Sequence, residues 1–279
     1  ISPAIEPPGG SRPPKKKRFL MRSSILLVVI SFVLVGSCPP AWSAPGHVEG
    51  YIPAAAHAAG RFGSFWTTDV WIYHQGATGV HLWFNPSGQD NSGGQSVVIQ
   101  LDSAVVHLQD IVGSLFESEG IGSVHYAADG PVSVISRTWT AAPDGGSYGQ
   151  TIPGISVTNA SFPGSSQGGA LRMLVNQRSS ARANLGVVNV SAEPVTVAVD
   201  LFTSDGEPAP GDSSFSVALA PFDMKQINDV LARLPAGSRQ GLIIRTAVSS
   251  DEGAVMSYLS EVDNSTNDAS YQEAFKFSF

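Results

Sequence analysis

Cysteine is nearly missing from this chain, with Cys38 as its single example. One thiol excludes an internal disulfide framework and any all-cysteine zinc site, so packing and hydrogen bonding must hold the fold together. Long apolar runs are missing as well. The greasiest segment, residues 25–35, offers eleven uncharged positions, about 16 Å of helix against a hydrocarbon core about 30 Å thick. Charged side chains make up only 14% of the chain, and beyond residue 44 ten Lys and Arg face 22 Asp and Glu, a net charge near −12. Such an excess repels phosphate backbones, and the basic residues form no stripe, which excludes nucleic acid as a partner.

What is present begins with an export signal. Lys15-Lys16-Lys17-Arg18 and Arg22 precede the short apolar stretch, and small residues follow it, the pattern of a secretion signal. Residues 1–44 are therefore expected to be n-region and signal peptide, which places the protein outside the cytoplasm, in the cell envelope or beyond. Two exits are open. Cleavage after Ala44 would discard Cys38 with the signal. Alternatively Leu34-Val35-Gly36-Ser37-Cys38 is similar to a bacterial lipobox, which would leave Cys38 as a lipidated terminus. Membrane contact is expected only through the signal or that lipid anchor.

The remaining chain repeats itself. Thr68-Asp69-Val70-Trp71-Ile72-Tyr73-His74, Gly79-Val80-His81-Leu82-Trp83-Phe84 and Gln109-Asp110-Ile111-Val112 return as Ala183-Asn184-Leu185-Gly186-Val187-Val188-Asn189, Pro194-Val195-Thr196-Val197-Ala198-Val199 and Asn228-Asp229-Val230-Leu231. The spacing drifts from 115 to 119 residues across these segments and reaches 123 between Gly130-Pro131-Val132-Ser133-Val134 and Gly253-Ala254-Val255-Met256-Ser257, as a duplicated domain with altered turns would give. Residues 45–155 and 171–279 are read as the two copies. Residues 156–170, rich in Gly, Ser and Pro, are read as their joint.

Period-two alternation dominates each copy, as in Val195-Thr196-Val197-Ala198-Val199, with turn residues at intervals of about ten. The exception is Asp110 to Phe116 with its counterpart Asp229 to Leu234. There apolar groups three and four apart predict a short helical turn behind a capping Asp, held by Ile111 and Leu115, or Val230 and Leu234. The fold class predicted is all-β: two consecutive antiparallel sandwiches, each with a short helical turn, after the signal segment. A single eight-stranded barrel spanning both halves is the rival, but it does not account for the recurring turn. Tyr51-Ile52-Pro53-Ala54 and Thr151-Ile152-Pro153-Gly154 are expected to form edge strands or lead-ins, where proline is tolerated.

Asp69 or Asn184 ahead of an apolar strand, His74 or Asn189 at its end, the Asp-Ile/Val turn and a closing Tyr148-Gly149-Gln150 or Tyr271-Gln272 together resemble the tandem Ig-like β-sandwich repeats of uncharacterised exported bacterial proteins. The resemblance covers roughly residues 48–277. It implies an envelope or extracellular location and adhesive, scaffolding or accessory roles, and it carries over no catalytic residues. The chain departs from the pattern at His74, opposite Asn189, and at Trp71, opposite Gly186.

No chemistry emerges from the remaining motifs. All six histidines lie between His47 and His125, in no compact zinc spacing, although His74 and His81 are expected to face each other across a hairpin near Asp69. No Gly-x-Ser-x-Gly elbow is present, and Glu117 and Glu119 sit beside Gly120 on an expected loop. The acidic turns at Asp205–Asp212 and Asp263–Asp268 do not follow a calcium-loop pattern. Neither a catalytic residue, a metal site nor a cofactor is predicted, and the protein is read as a non-enzyme.

Aromatic residues give the one functional signal. Trp66, Trp71, Tyr73 and Trp83 crowd the opening strands of the first copy, where the second carries small aliphatics. Facing outward, they would bind an extracellular protein or stack on a glycan; facing inward, they would fill a thicker core. The function expected is a structural or adhesion-type surface at the bacterial envelope, with a carbohydrate-binding accessory module as the alternative.

Overall fold

Alternation decides the layers. A computed structural model describes residues 47–164, 169–177 and 180–276, which belong to one compact unit. The signal segment, both proposed exits and Cys38 lie outside the described residues.

The first half contains β1 (Val48–Ala59), β2 (Phe65–His74), β3 (Gly79–Pro86), β4 (Val97–Gln100), β5 (Val105–Leu108), β6 (Gly120–Ala128), β7 (Val132–Ala141), β8 (Ser147–Pro153) and β9 (Ile155–Ser156). One layer runs β4-β3-β6-β1, with β9 added beside β1; the other runs β5-β2-β7-β8. They join at a corner, where His57, Ala58 and Ala59 of β1 pair with Thr67, Trp66 and Phe65 of β2. Between the layers lie Ile52, Val70, Ile72, Val80, Leu82 and Val124, none with accessible surface. Each such side chain contributes about 1.5–3 kcal/mol relative to exposure.

The second half contains β10 (Leu171–Val175), β11 (Ala181–Asn189), β12 (Val195–Phe202), β13 (Ser214–Leu219), β14 (Met224–Ile227), β15 (Leu242–Val248), β16 (Val255–Asp263), β17 (Ala269–Glu273) and β18 (Phe275–Lys276). Its layers run β13-β12-β15-β10-β18 and β14-β11-β16-β17. Strand for strand this is the order of the first half, and it encloses a separate core that includes Met173, Leu185, Val187, Val197, Val199 and Ile244. The chain is all-β, with antiparallel sheets arranged as sandwiches.

Three expectations need correction. β2 and β3 are not a hairpin: β2 pairs with β1, β5 and β7, whereas β3 pairs with β4 and β6, so residues 75–78 cross from one layer to the other. His74 and His81 consequently sit on opposite layers. Pro53 is not on an edge either. It lies in the irregularity between Ile52 and Ala55, within a strand paired to β6, where a missing N–H breaks no ladder bond.

The third correction concerns the helical turns, Ile111–Leu115 and Val230–Arg233. Their apolar residues pack as expected, with Ile111 and Leu115 on one core and Val230 and Leu234 on the other. The preceding aspartates, however, make no side-chain cap. Asp110 and Asp229 instead adopt a left-handed backbone, φ 44° and 47°, which aspartate tolerates better than bulkier residues. What holds them there comes from elsewhere in the repeat. The Asp110 N–H donates to Asp69 Oδ1 (2.9 Å), and the Asp229 N–H donates to Asn184 Oδ1 (3.0 Å). The recurring Asp69/Asn184 position is thus a backbone anchor for the turn.

The two halves meet along a seam. Tyr51 and Ile155 of the first, with Ala160 just beyond it, pack against Val188, Met224, Ala254 and Met256 of the second. Beside it, the turn after β3 hooks onto the turn before β14: Gly88 N–H donates to Asp223 Oδ1 (2.6 Å), Ser87 Oγ to the Met224 carbonyl (2.6 Å) and Asn91 Nδ2 to the Phe222 carbonyl (3.1 Å). Asp223 is 1% exposed, and the Lys225 ammonium lies 3.9 Å away. Residues at the start of the expected joint are likewise packed, with Ala160 fully buried and Ser161 bridged to Val255.

Candidate functional site

The four aromatic residues singled out in the sequence are not one cluster. Val70 and Ile72 enter the core, so Trp71 and Tyr73, two residues apart, point to the outer face of β5-β2-β7-β8. Trp83, flanked by the core residue Leu82, points to the outer face of the opposite layer. Trp66 sits at the β1–β2 corner, its Nε1 donating to Ser64 Oγ (3.1 Å).

Registry fixes what surrounds Trp71 and Tyr73. Trp71 pairs with His107 on β5 and Ile135 on β7, and Tyr73 with Val105 and Ser133. The Trp71 and His107 rings stack at 4.4 Å with a 5° interplanar angle. Val105, Tyr73 and Ile135 are 51%, 44% and 44% exposed, so a contiguous apolar patch faces solvent. Its lower end is polar: Asp69 pairs with Arg137, and Trp139 Nε1 donates to Asp69 Oδ2 (3.1 Å).

The second half places different side chains at the same positions, and there they are covered. Gly186 pairs with Gln226 and Tyr258 where Trp71 pairs with His107 and Ile135; Val188 pairs with Met224 and Met256 where Tyr73 pairs with Val105 and Ser133. Tyr258 is wholly buried, its hydroxyl donating to Gln226 Oε1 (3.2 Å) and its ring stacked on Tyr271 at 5.7 Å. A Cβ on Gly186 would stand 1.9 Å from that ring. The departure at Trp71 and Gly186 has a physical reason: one face lies in the seam and the other is open. Burial pushes the Tyr126 phenol up to about 12, and those of Tyr51, Tyr258 and Tyr271 further.

Charged clusters serve the scaffold. His57 Nδ1 lies 2.8 and 2.9 Å from the two Asp110 carboxylate oxygens, and the second half has Gln177 Nε2 donating to Asp229 Oδ1 (3.4 Å) at the corresponding place. Among the described residues no three His, Cys, Asp or Glu groups converge as metal ligands, and no helix is long and apolar enough to cross a membrane.

Sequence reasoning missed Ile135, Val105 and His107 as parts of the open face. Alternation in Val132-Ser133-Val134-Ile135 already puts Ile135 opposite the core residue Val134; what was missing was which strand lies beside Trp71.

No family model matches the sequence, and no curated protein matches it. Among solved structures, the apo form of Pleurotus ostreatus lectin aligns over 83% of this chain and 78% of that one, at 10% identity and a TM-score of 0.21. Similarity at that level fixes neither topology nor function.

Proposed function

We propose that the protein is an exported, non-enzymatic adhesion-type component of the bacterial envelope, built from two Ig-like sandwich domains, residues 45–155 and 171–279, joined by residues 156–170. Its working surface is the outer face of β5-β2-β7-β8, and its partner is an extracellular protein. The observation that carries this reading is the asymmetry between the halves: one apolar face is sealed in the seam, while its counterpart, with Trp71, Tyr73, Val105 and Ile135, is open. Exposed apolar patches of this kind with polar margins are characteristic of protein contact sites, and Trp and Tyr dominate their energetics. Export rests on the signal pattern of residues 1–44, and lipid anchorage on Cys38.

The test is adhesion of the purified protein to a panel of bacterial and host-cell surfaces, set against a Trp71→Ala/Tyr73→Ala variant of unchanged thermal stability. Losing two such side chains at a contact centre should weaken binding by about 30-fold or more. Equal adhesion by both proteins, or none by either, overturns the proposal.

A further inference from the structure

The other outer face of the first half carries a separate feature. Across β1, β6 and β3 the rings of Tyr51, His125 and Trp83 form a ladder, Tyr51 on His125 at 4.5 Å and 11°, Trp83 on His125 at 4.6 Å and 21°, with His81 5.8 Å beyond Trp83. Its inner end, Tyr51, is fully buried in the seam. His125 is fixed by Glu49, whose Oε1 lies 2.8 Å from Nε2. The second half has no such ladder, because Arg172, Arg245 and Asp200 hold the corresponding registry positions.

The outer end of the ladder opens into a cleft of about 260 Å³, lined by Trp83, Val98, Ala127, His81, Gln100 and Asp129 among others. Its chemistry narrows the occupant. Trp83, Val98 and Ala127 make an apolar wall, while Gln100 can both donate and accept. Burial holds the His81 imidazole below its ordinary pKa, and its Nδ1 already lies 3.3 Å from Ser96 Oγ. Asp129 brings the cleft's negative charge, with its carboxylate accepting from the Thr78 N–H (2.8 Å), the Thr78 hydroxyl and the Gly79 N–H (3.3 Å). Among the described residues no Lys or Arg lines the cleft, which disfavours phosphate and acidic ligands. The volume falls just under the range of about 300–1,000 Å³ usual for drug-sized ligands.

We propose that this cleft binds a neutral saccharide, one or two rings long, with a C–H face packed on Val98 and Ala127 beside Trp83 and hydroxyls bonded by Gln100 and Asp129. The site lies on the layer opposite Trp71 and Tyr73, so it goes beyond the adhesion surface and stands or falls independently of it.

Saturation-transfer NMR of the purified protein with glucose, galactose, mannose and N-acetylglucosamine oligomers, alongside glucuronate, sialic acid and inorganic phosphate, tests it. Val98 is 47% exposed and Gln100 also faces solvent, so Val98→Glu and Gln100→Ala leave the core intact. The expected result is a signal from at least one neutral sugar, weakened about tenfold by either substitution and unchanged by Tyr73→Ser on the opposite layer. Absence of any neutral-sugar signal, stronger binding of the acidic sugars or phosphate, indifference to Val98→Glu and Gln100→Ala, or loss through Tyr73→Ser would each overturn it.

Discussion

Replacing Gly186 by alanine isolates the reason the second half could not keep the aromatic residue of the first. The added methyl would sit 1.9 Å from Tyr258 Cε1 and 2.0 Å from Cζ, far inside van der Waals contact. Tyr258 has no accessible surface and is boxed in by Tyr271 and the bond to Gln226, so the ring cannot swing into solvent. Overpacking of this kind costs about 1–3 kcal/mol, and a lost hydroxyl bond about 1 kcal/mol more. Alanine restricts the unfolded chain and is the better strand residue, which returns about 0.5–1 kcal/mol. The net expectation is a loss of about 1–3.5 kcal/mol, read from the urea midpoint by circular dichroism at unchanged slope. Trp66, Trp71, Trp83 and Trp139 all lie in the first half, so tryptophan fluorescence followed in parallel reports whether that half unfolds together with the second. A second substitution, Tyr258→Ala, removes the clash, and in the double-mutant cycle the Gly186→Ala penalty should then vanish. A Gly186→Ala protein within about 0.5 kcal/mol of the parent, or a penalty that persists without the ring, refutes the reasoning.

Other consequences follow from the same geometry. Asn184→Ala leaves the left-handed Asp229 N–H without its acceptor and should cost about 1–3 kcal/mol in urea denaturation; no loss would mean that the turn holds itself. Asp223→Ala removes the buried carboxylate that receives Gly88 and should raise hydrogen exchange selectively in residues 87–91, a rise that must fail to appear if the hook is incidental. Alkaline titration should destabilise the protein above pH 10: with Tyr51, Tyr126, Tyr258 and Tyr271 raised above the ordinary phenol value, the unfolded chain ionises first, so stability present below pH 10 is lost as pH rises beyond it. Phenolate absorbance that develops near pH 10 for all six tyrosines without unfolding would contradict this. Intact-mass measurement of cell-derived protein tests the proposed export signal: a lipidated Cys38 or cleavage after Ala44 is expected, and a chain that retains residues 1–44 overturns it.

Local pattern carried much of this fold, and its failures share one cause. The period of two placed Val70 and Ile72 opposite Trp71 and Tyr73, and the three-and-four spacing placed Ile111, Leu115, Val230 and Leu234 on their cores. The repeat marked Asp69 and Asn184 as equivalent, although only coordinates show both accepting a backbone N–H from a left-handed residue. Adjacent strands in sequence suggested that β2 and β3 pair, whereas residues 75–78 carry the chain across the sandwich. Alternation says which residues share a face; it does not say what covers that face. The seam was partly legible in retrospect, since Leu185-Gly186-Val187-Val188 and Val255-Met256 lack the polar partners expected of a one-sided strand, and both stretches are buried on either side. The cleft was not legible, because Trp83, Val98 and Asp129 converge from three separate segments.

Because the seam joins unlike faces of like units, it has a direction, and a directional contact between identical folds would, left alone, continue into a filament. The face that would receive a third unit is that of β10, β15 and β12, and there Arg172, Arg245 and Asp200 replace Tyr51, His125 and Trp83, with Arg245 Nη2 held 2.8 Å from Asp200 Oδ2. Docking would require burying that ion pair, at a desolvation penalty of several kcal/mol. Charge at three positions thus disfavours a further unit on that face and leaves the paired sandwiches with two dissimilar outer faces, one greasy and one salted.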